Sequence, residues 1–171
     1  MKQLKESFSQ AEIAARIADV GARIRADAGS SEVFLIGILK GSAVFLSDLI
    51  RAISGDVGYA FVDVIRDLGD TGTAEAIEID FLTHFEMEGK NLYLLKDVVS
   101  SGIIENYLMT QLRQQKPADL KLVALLDRHD LRTVELDVDY ELFKVDNGIF
   151  VGYGLESEGR YGNLPYLARL G

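Results

Sequence analysis

Two apolar rhythms alternate along the chain. Ile13, Ile17, Val20 and Ile24 recur at three- and four-residue steps, which is one helix face, and the pattern stops before Gly29-Ser30-Ser31. Ser9 and Glu12 stand at capping-box spacing and predict that this helix opens at Ser9. The run VFLIGIL over 33–39 is apolar without interruption, which predicts a strand covered on both faces. Helical spacing returns in Phe45, Leu46, Leu49, Ile50 and Ile53. A strand over 59–65 follows, then a polar, glycine-containing loop over 66–75 and a strand over 76–82. Glu88-Gly89-Lys90 turns the chain into a strand over 91–96. Ile104, Tyr107, Leu108 and Leu112 predict a helix that Lys116-Pro117 stops, and 120–126 is a further buried strand. Short strands are expected over 133–138 and 149–153.

Strands alternating with helices predict an α/β fold, a mainly parallel sheet flanked by helices, in one domain over 1–171. Ligands in such folds collect at the carboxyl ends of the strands. Three polar turns fall there: Lys40-Gly41-Ser42, the stretch 97–102 and the stretch 127–130.

Each turn carries a possible chemistry beside a plainer role. Ser100-Ser101-Gly102 puts two hydroxyls and a glycine before a helix, where free N–H groups and the helix dipole attract an anion. On spacing alone the plainer role is favoured, Ser100 or Ser101 merely capping that helix. Lys40-Gly41-Ser42 is suited to phosphate through its lysine and backbone, without the glycine spacing of a Walker loop. Asp97 is suited to ligating magnesium, to accepting hydrogen bonds from ribose hydroxyls, or to a structural role. Lys96 works against a metal, because a unit charge ~4 Å away contributes roughly 4 kcal/mol at an effective dielectric near 20, here as repulsion. The C-terminal FVGYGLESEGRYGNLPY reads as a strand followed by a tight, self-packed loop.

Composition narrows the classes. With 48% hydrophobic and 26% charged residues, the 171-residue chain has the make-up of a globular domain. No apolar run approaches the ~20 residues of a membrane span, so no membrane partner is expected. MKQLKESFSQ has no hydrophobic signal core and the chain has no cysteine, so cytoplasmic residence is expected. The net charge of −9, from 18 basic and 27 acidic residues without a basic cluster, argues against a nucleic-acid partner. His84 and His129 are too far apart to suggest a metal cluster.

In order and spacing, LIGILKGSAVFLSDLIRAI (35–53), LLKDVVSSG (94–102), KLVALLDR (121–128) and FVGYGL…NLPY (150–166) resemble the hypoxanthine-guanine phosphoribosyltransferases. The resemblance covers essentially the whole chain. It implies the type I phosphoribosyltransferase fold, with a small hood from the terminal segments, and a homodimer or homotetramer. It also implies transfer of phosphoribose from phosphoribosyl pyrophosphate to N9 of a 6-oxopurine, with Mg2+. The ligands would be a purine base or nucleotide and phosphoribosyl pyrophosphate. Carried over by position, Lys40, Gly41, Ser42, Ser101 and Gly102 hold phosphate or pyrophosphate, and Arg128, Ile149 and Phe150 face the base. Asp97 and Ser100 take the catalytic positions, while Asp97 and Glu156 take those of the metal ligands.

Several of these positions depart from the family pattern. The Glu-Asp pair for the ribose hydroxyls is Lys96-Asp97, which weakens the implied magnesium site. The aspartate near the purine N7 is Ser100, and a hydroxyl cannot relay a proton near neutral pH as a carboxylate can. The phosphate-loop threonines become Ser101 and Ile104. The lysine for the 6-oxo group becomes Arg128, with its different geometry, and the stacking aromatic becomes Ile149, with Phe150 one place along. The metal-ligand aspartate is Glu156. The pyrophosphate arginine falls on Gly162, leaving Arg160 as a substitute if the loop shifts, and the lid's Ser-Tyr pair falls on Asp67-Leu68. The expectation is therefore weak or altered phosphoribosyl transfer. The alternative is a non-catalytic nucleotide- or phosphoribosyl-binding protein on the same fold.

Overall fold

The structure, a computed structural model, describes residues 3–67, 76–81, 84–146 and 148–171, with 65–67, 76 and 77 as backbone alone. In chain order the elements are β1 (Leu4–Phe8), α1 (Gln10–Ala28), β2 (Val33–Ile38), α2 (Ala43–Ala52), β3 (Val57–Asp67), β4 (Ala76–Phe81) and β5 (Asn91–Val99). There follow α3 (Ile103–Gln114), β6 (Asp119–Asp127), a 3-10 turn (His129–Leu131), β7 (Tyr140–Lys144), β8 (Ile149–Val151) and β9 (Leu167–Leu170).

The first helix begins as its sequence predicts. The Ser9 hydroxyl accepts the Glu12 N–H at 3.2 Å while the Glu12 carboxylate accepts the Ser9 N–H at 2.8 Å. Each satisfies a donor that the helix start would otherwise leave open. Ile13, Ile17, Val20 and Ile24 are the buried face.

The main sheet has six strands in the order β4-β3-β2-β5-β6-β7. Every pairing is parallel except that of β4, which runs antiparallel on β3. Central β2 is buried at all six positions, which is why its sequence shows no polar alternation. Helices α1 and α2 pack with Tyr93 and Leu95 on one face of the sheet, and α3 packs with Leu92 and Leu94 on the other. That alternation breaks towards the end of β5, where Val98 packs on the α1/α2 side and Val99 on the α3 side, so the break falls at Lys96-Asp97.

Three expectations need correction. The strand expected over 91–96 continues to Val99, so Asp97 lies within β5 and not in a turn. Its pairing with β6 persists to Val99 opposite Asp127, which holds the chain extended past Lys96. No strand occupies 133–138; the strand there is β7, beginning at Tyr140 opposite Val123. The period-two apolar residues Leu136 and Val138 instead pack from a loop onto the α3-side core. Of the polar loop expected over 66–75, residues 66 and 67 belong to β3, and 68–75 lie outside the described residues, as does Leu82.

Strands β1 and β9 were not legible in the pattern. They pair antiparallel, Leu4 opposite Leu170, and β8 completes a three-stranded sheet β1-β9-β8. This is the small hood formed by the terminal segments.

Candidate active site

The ends of β2, β5 and β6 meet. After β2, Gly41 passes so close to β5 that a Cβ on it would overlap the Asp97 carboxylate. Ser42 is fully buried, and its hydroxyl donates to the Ile38 carbonyl at 2.6 Å. The hydroxyl is thus spent on the local backbone, while in the same triplet Lys40 is exposed and Gly41 half-buried. Lys40 Nζ lies 2.8 Å from Glu156 Oε2, a largely exposed pair that joins this turn to the C-terminal loop.

Asp97 has two distinct oxygens. Oδ1 accepts the Val98 N–H at 2.8 Å and also the Lys96 ammonium; Oδ2 points at Gly41. The Lys96–Asp97 pair is half-buried, with side chains 21% and 16% exposed, so water screens it less than the Lys40 pair. Below it on α3 lies Glu105, one of the few buried charged residues. Burial holds the Glu105 carboxyl above the ordinary carboxylate range; its own backbone amide and the Lys96 charge draw it back, while Asp97 raises it further.

Helix α3 starts without a serine cap. Its N-cap is Gly102 in the left-handed conformation (φ 81°), and Ser101 Oγ accepts the Ile103 N–H only at a long 3.4 Å. Ser100 and Ser101 are therefore free of the simple capping role. Ile104 faces the core beside α3 and offers nothing to a phosphate. The loop after β6 lies directly on this turn: the Arg128 N–H donates to the Val99 carbonyl at 2.9 Å and the Thr133 N–H to the Ser101 carbonyl at 3.0 Å. Arg132 bonds Asp127 at 2.6 Å behind them.

The C-terminal loop packs back on itself, as expected: Tyr153 N–H donates to the Leu164 carbonyl at 2.8 Å and Gly154 N–H to the Gly162 carbonyl at 2.9 Å. Tyr153 also donates its phenol O–H to Asp48 on α2. A side chain at 162 would meet Glu156 Cγ at 2.8 Å. The longer acid at 156 thus occupies the space beside the missing arginine. Arg160 is exposed on the same loop. Ile149 is 58% exposed, whereas Phe150 packs against the core. Leu68 of the lid pair lies outside the described residues, and Asp67 ends β3.

Sequence reasoning missed Glu105 and Arg132. Their signal was a charged residue at a position that the helix period or a strand-end loop turns inward, visible only once α3 and the 3-10 turn are placed.

The donor set as it stands does not fit a magnesium ion. Each candidate carboxylate, Asp97 and Glu156, already carries a lysine ammonium. A hard cation would have to displace Lys96 before reaching Asp97 Oδ1.

The profile of the phosphoribosyl transferase domain matches residues 5–158. The hypoxanthine-guanine phosphoribosyltransferase of Bacillus subtilis is 31% identical over 97% of this chain and 92% of its own. That of Dictyostelium discoideum is 34% identical over 95% and 93%. Among solved structures, a hypoxanthine-guanine phosphoribosyltransferase from Bacillus anthracis superposes with a TM-score of 0.88 at 29% identity, covering 100% of this chain and 99% of that one. The hypoxanthine phosphoribosyltransferase of Trypanosoma cruzi gives 0.89 at 30% identity, covering 98% and 91%.

Proposed function

The chain belongs to the hypoxanthine-guanine phosphoribosyltransferases of the phosphoribosyl transferase domain family, and on that premise we propose that it transfers phosphoribose from phosphoribosyl pyrophosphate to a 6-oxopurine at a reduced rate. The supporting observation is the convergence of three strand ends: Gly41 against Asp97, and the Arg128 loop on Val99 and Ser101. In this reading Ser101 and Gly102 at the start of α3 receive the 5′-phosphate, where helix N–H groups and dipole favour an anion. Lys40 and Gly41 receive the diphosphate. Arg128 donates to the 6-oxo oxygen, and the exposed Ile149 covers one face of the base.

The rate falls for two reasons. Ser100 offers no carboxylate near the base, and general acid–base help contributes roughly 10²–10⁴-fold. Lys96 occupies Asp97 Oδ1, so the ribose hydroxyls meet a carboxylate that is already partnered. A homodimer or homotetramer and cytoplasmic residence belong to the same proposal.

The two lysine-paired carboxylates favour one further reading, a protein that binds nucleotide or phosphoribosyl compounds without turnover. Product assays with phosphoribosyl pyrophosphate and guanine, hypoxanthine or xanthine separate the two. Formation of IMP or GMP is expected at least ~100-fold below a typical ~10 per second. Full-speed turnover would contradict the reduced-rate proposal. Absent turnover would leave the binding reading, provided GMP at 100 times its dissociation constant stabilises the fold by about 2.7 kcal/mol.

A further inference from the structure

Among the described residues, Arg132 is a strongly buried guanidinium beside this site that the proposed chemistry leaves unused. Its side chain is 9% exposed and that of its partner Asp127 is 5% exposed, with Nη2 donating to Oδ1 at 2.6 Å. Two of its remaining nitrogen positions, Nε and Nη1, are buried without a hydrogen-bond partner among the described residues. Leaving such donors unpaired is costly, so a purely stabilising role is a poor explanation.

Its location gives a better one. A Cβ added at Gly102 would lie 3.0 Å from Arg132 Cδ and 3.2 Å from Nη1. The guanidinium therefore rests on the bare α-carbon of the residue that starts α3, and the left-handed glycine leaves it that room. On one side Asp127 fixes it to the end of β6; on the other it abuts the serine turn. The two backbone bonds already described, Arg128 to Val99 and Thr133 to Ser101, stitch the same two loops together around it.

We propose that Arg132 is a positioning residue: wedged between Asp127 and Gly102, it sets the separation of the Arg128 loop from the Ser101-Gly102 helix start. This rests on the nucleotide-binding function proposed above. One loop is assigned to the base and the other to the 5′-phosphate, so the wedge fixes how far apart the two ends of a nucleotide are held. A ligand that touches one loop alone is insensitive to that separation. A ligand that spans both is sensitive to it, because misplacement forfeits one end or strains the other.

The test compares whole and partial ligands on the full chain. Calorimetry with GMP, guanosine and ribose 5-phosphate is run on the native protein and on Arg132→Gln and Arg132→Lys. Arg132→Gln is expected to weaken GMP by about tenfold or more while both fragments stay within about twofold, the size of a typical coupling between sites. Arg132→Lys keeps the ion pair without the planar wedge and is expected to fall between. In the ligand-free proteins, amide exchange at Arg128 and Thr133 is expected to quicken about tenfold in Arg132→Gln, with Leu125 in β6 unchanged.

Equal losses for GMP and ribose 5-phosphate would make Arg132 a direct phosphate contact and overturn the proposal. Equal losses for GMP and guanosine would confine it to the base side, also overturning it, as would unchanged GMP affinity. If the native protein binds none of the three ligands, the nucleotide function fails, and the exchange data still decide whether Arg132 couples the loops. Should Arg132→Gln not fold, Arg132→Lys carries the same comparison.

Discussion

A methyl group on Gly41 and the carboxylate of Asp97 would occupy the same place. The turn after β2 and the end of β5 are thus interlocked by the absence of a side chain. Gly41→Ala must swing Asp97 out, breaking its bond from the Val98 N–H. Overpacking of this kind costs typically 1–3 kcal/mol. We predict a loss of about 1–2 kcal/mol in urea unfolding and a clear fall in affinity for phosphoribosyl pyrophosphate. Unchanged affinity would place Asp97 outside the ligand site.

Glu105 supplies a pH prediction. Burial raises its folded pKa, so over the window from the unfolded value, about 4.3, up to the raised one, the folded chain holds a proton that the unfolded chain has released. Stability from this group is complete below the unfolded value and is lost as pH rises through the folded one. Glu105→Gln cannot ionise and escapes that loss. Melting temperatures of both proteins between about pH 4 and pH 7 should show the Gln variant gaining on the native protein as pH rises. A difference that stays constant with pH would contradict it. The groups facing Glu105, Lys96 and Asp97 from β5 and Arg132 from the loop after β6, are common to both proteins.

How much of this was written in the sequence depends on the range of the interaction. Ser9 with Glu12, and the unbroken apolar run of β2, are local signals, and both elements formed where they indicate. The overrun of β5 to Val99 depends on its partner β6, and β1 and β9 exist because they pair with each other across the whole length of the chain. The three polar turns were legible as strand ends, yet the inward turn of Ser42 came only from Ile38 four residues before it. The Glu156–Gly162 relation is similar: two departures from the family pattern, read separately in sequence, prove to share one volume.

Rebuilding the missing acids should restore activity cooperatively. Lys96→Glu and Ser100→Asp return a carboxylate to the ribose side and to the base side. Groups that act together in one step are non-additive. In product assays the double variant is predicted to exceed the sum of the two single gains. Simple addition, or no gain in any variant, would mean that these positions do not act in one site.

Lys96 itself gives the decisive comparison. Its ammonium holds Asp97 Oδ1 and lowers the pKa of the buried Glu105, and in the proposed function it is offered to the diphosphate as a fixed cation. Lys96→Glu would set a third carboxylate beside Asp97 and Glu105, repelling a bare diphosphate. Calorimetry with phosphoribosyl pyrophosphate, in magnesium and in EDTA, is run on the native and Lys96→Glu proteins. The native affinity is predicted to change little between the two conditions, and the variant is predicted to bind well only in magnesium. Strong magnesium dependence in the native protein, or none in the variant, would show that Lys96 does not stand in for the metal.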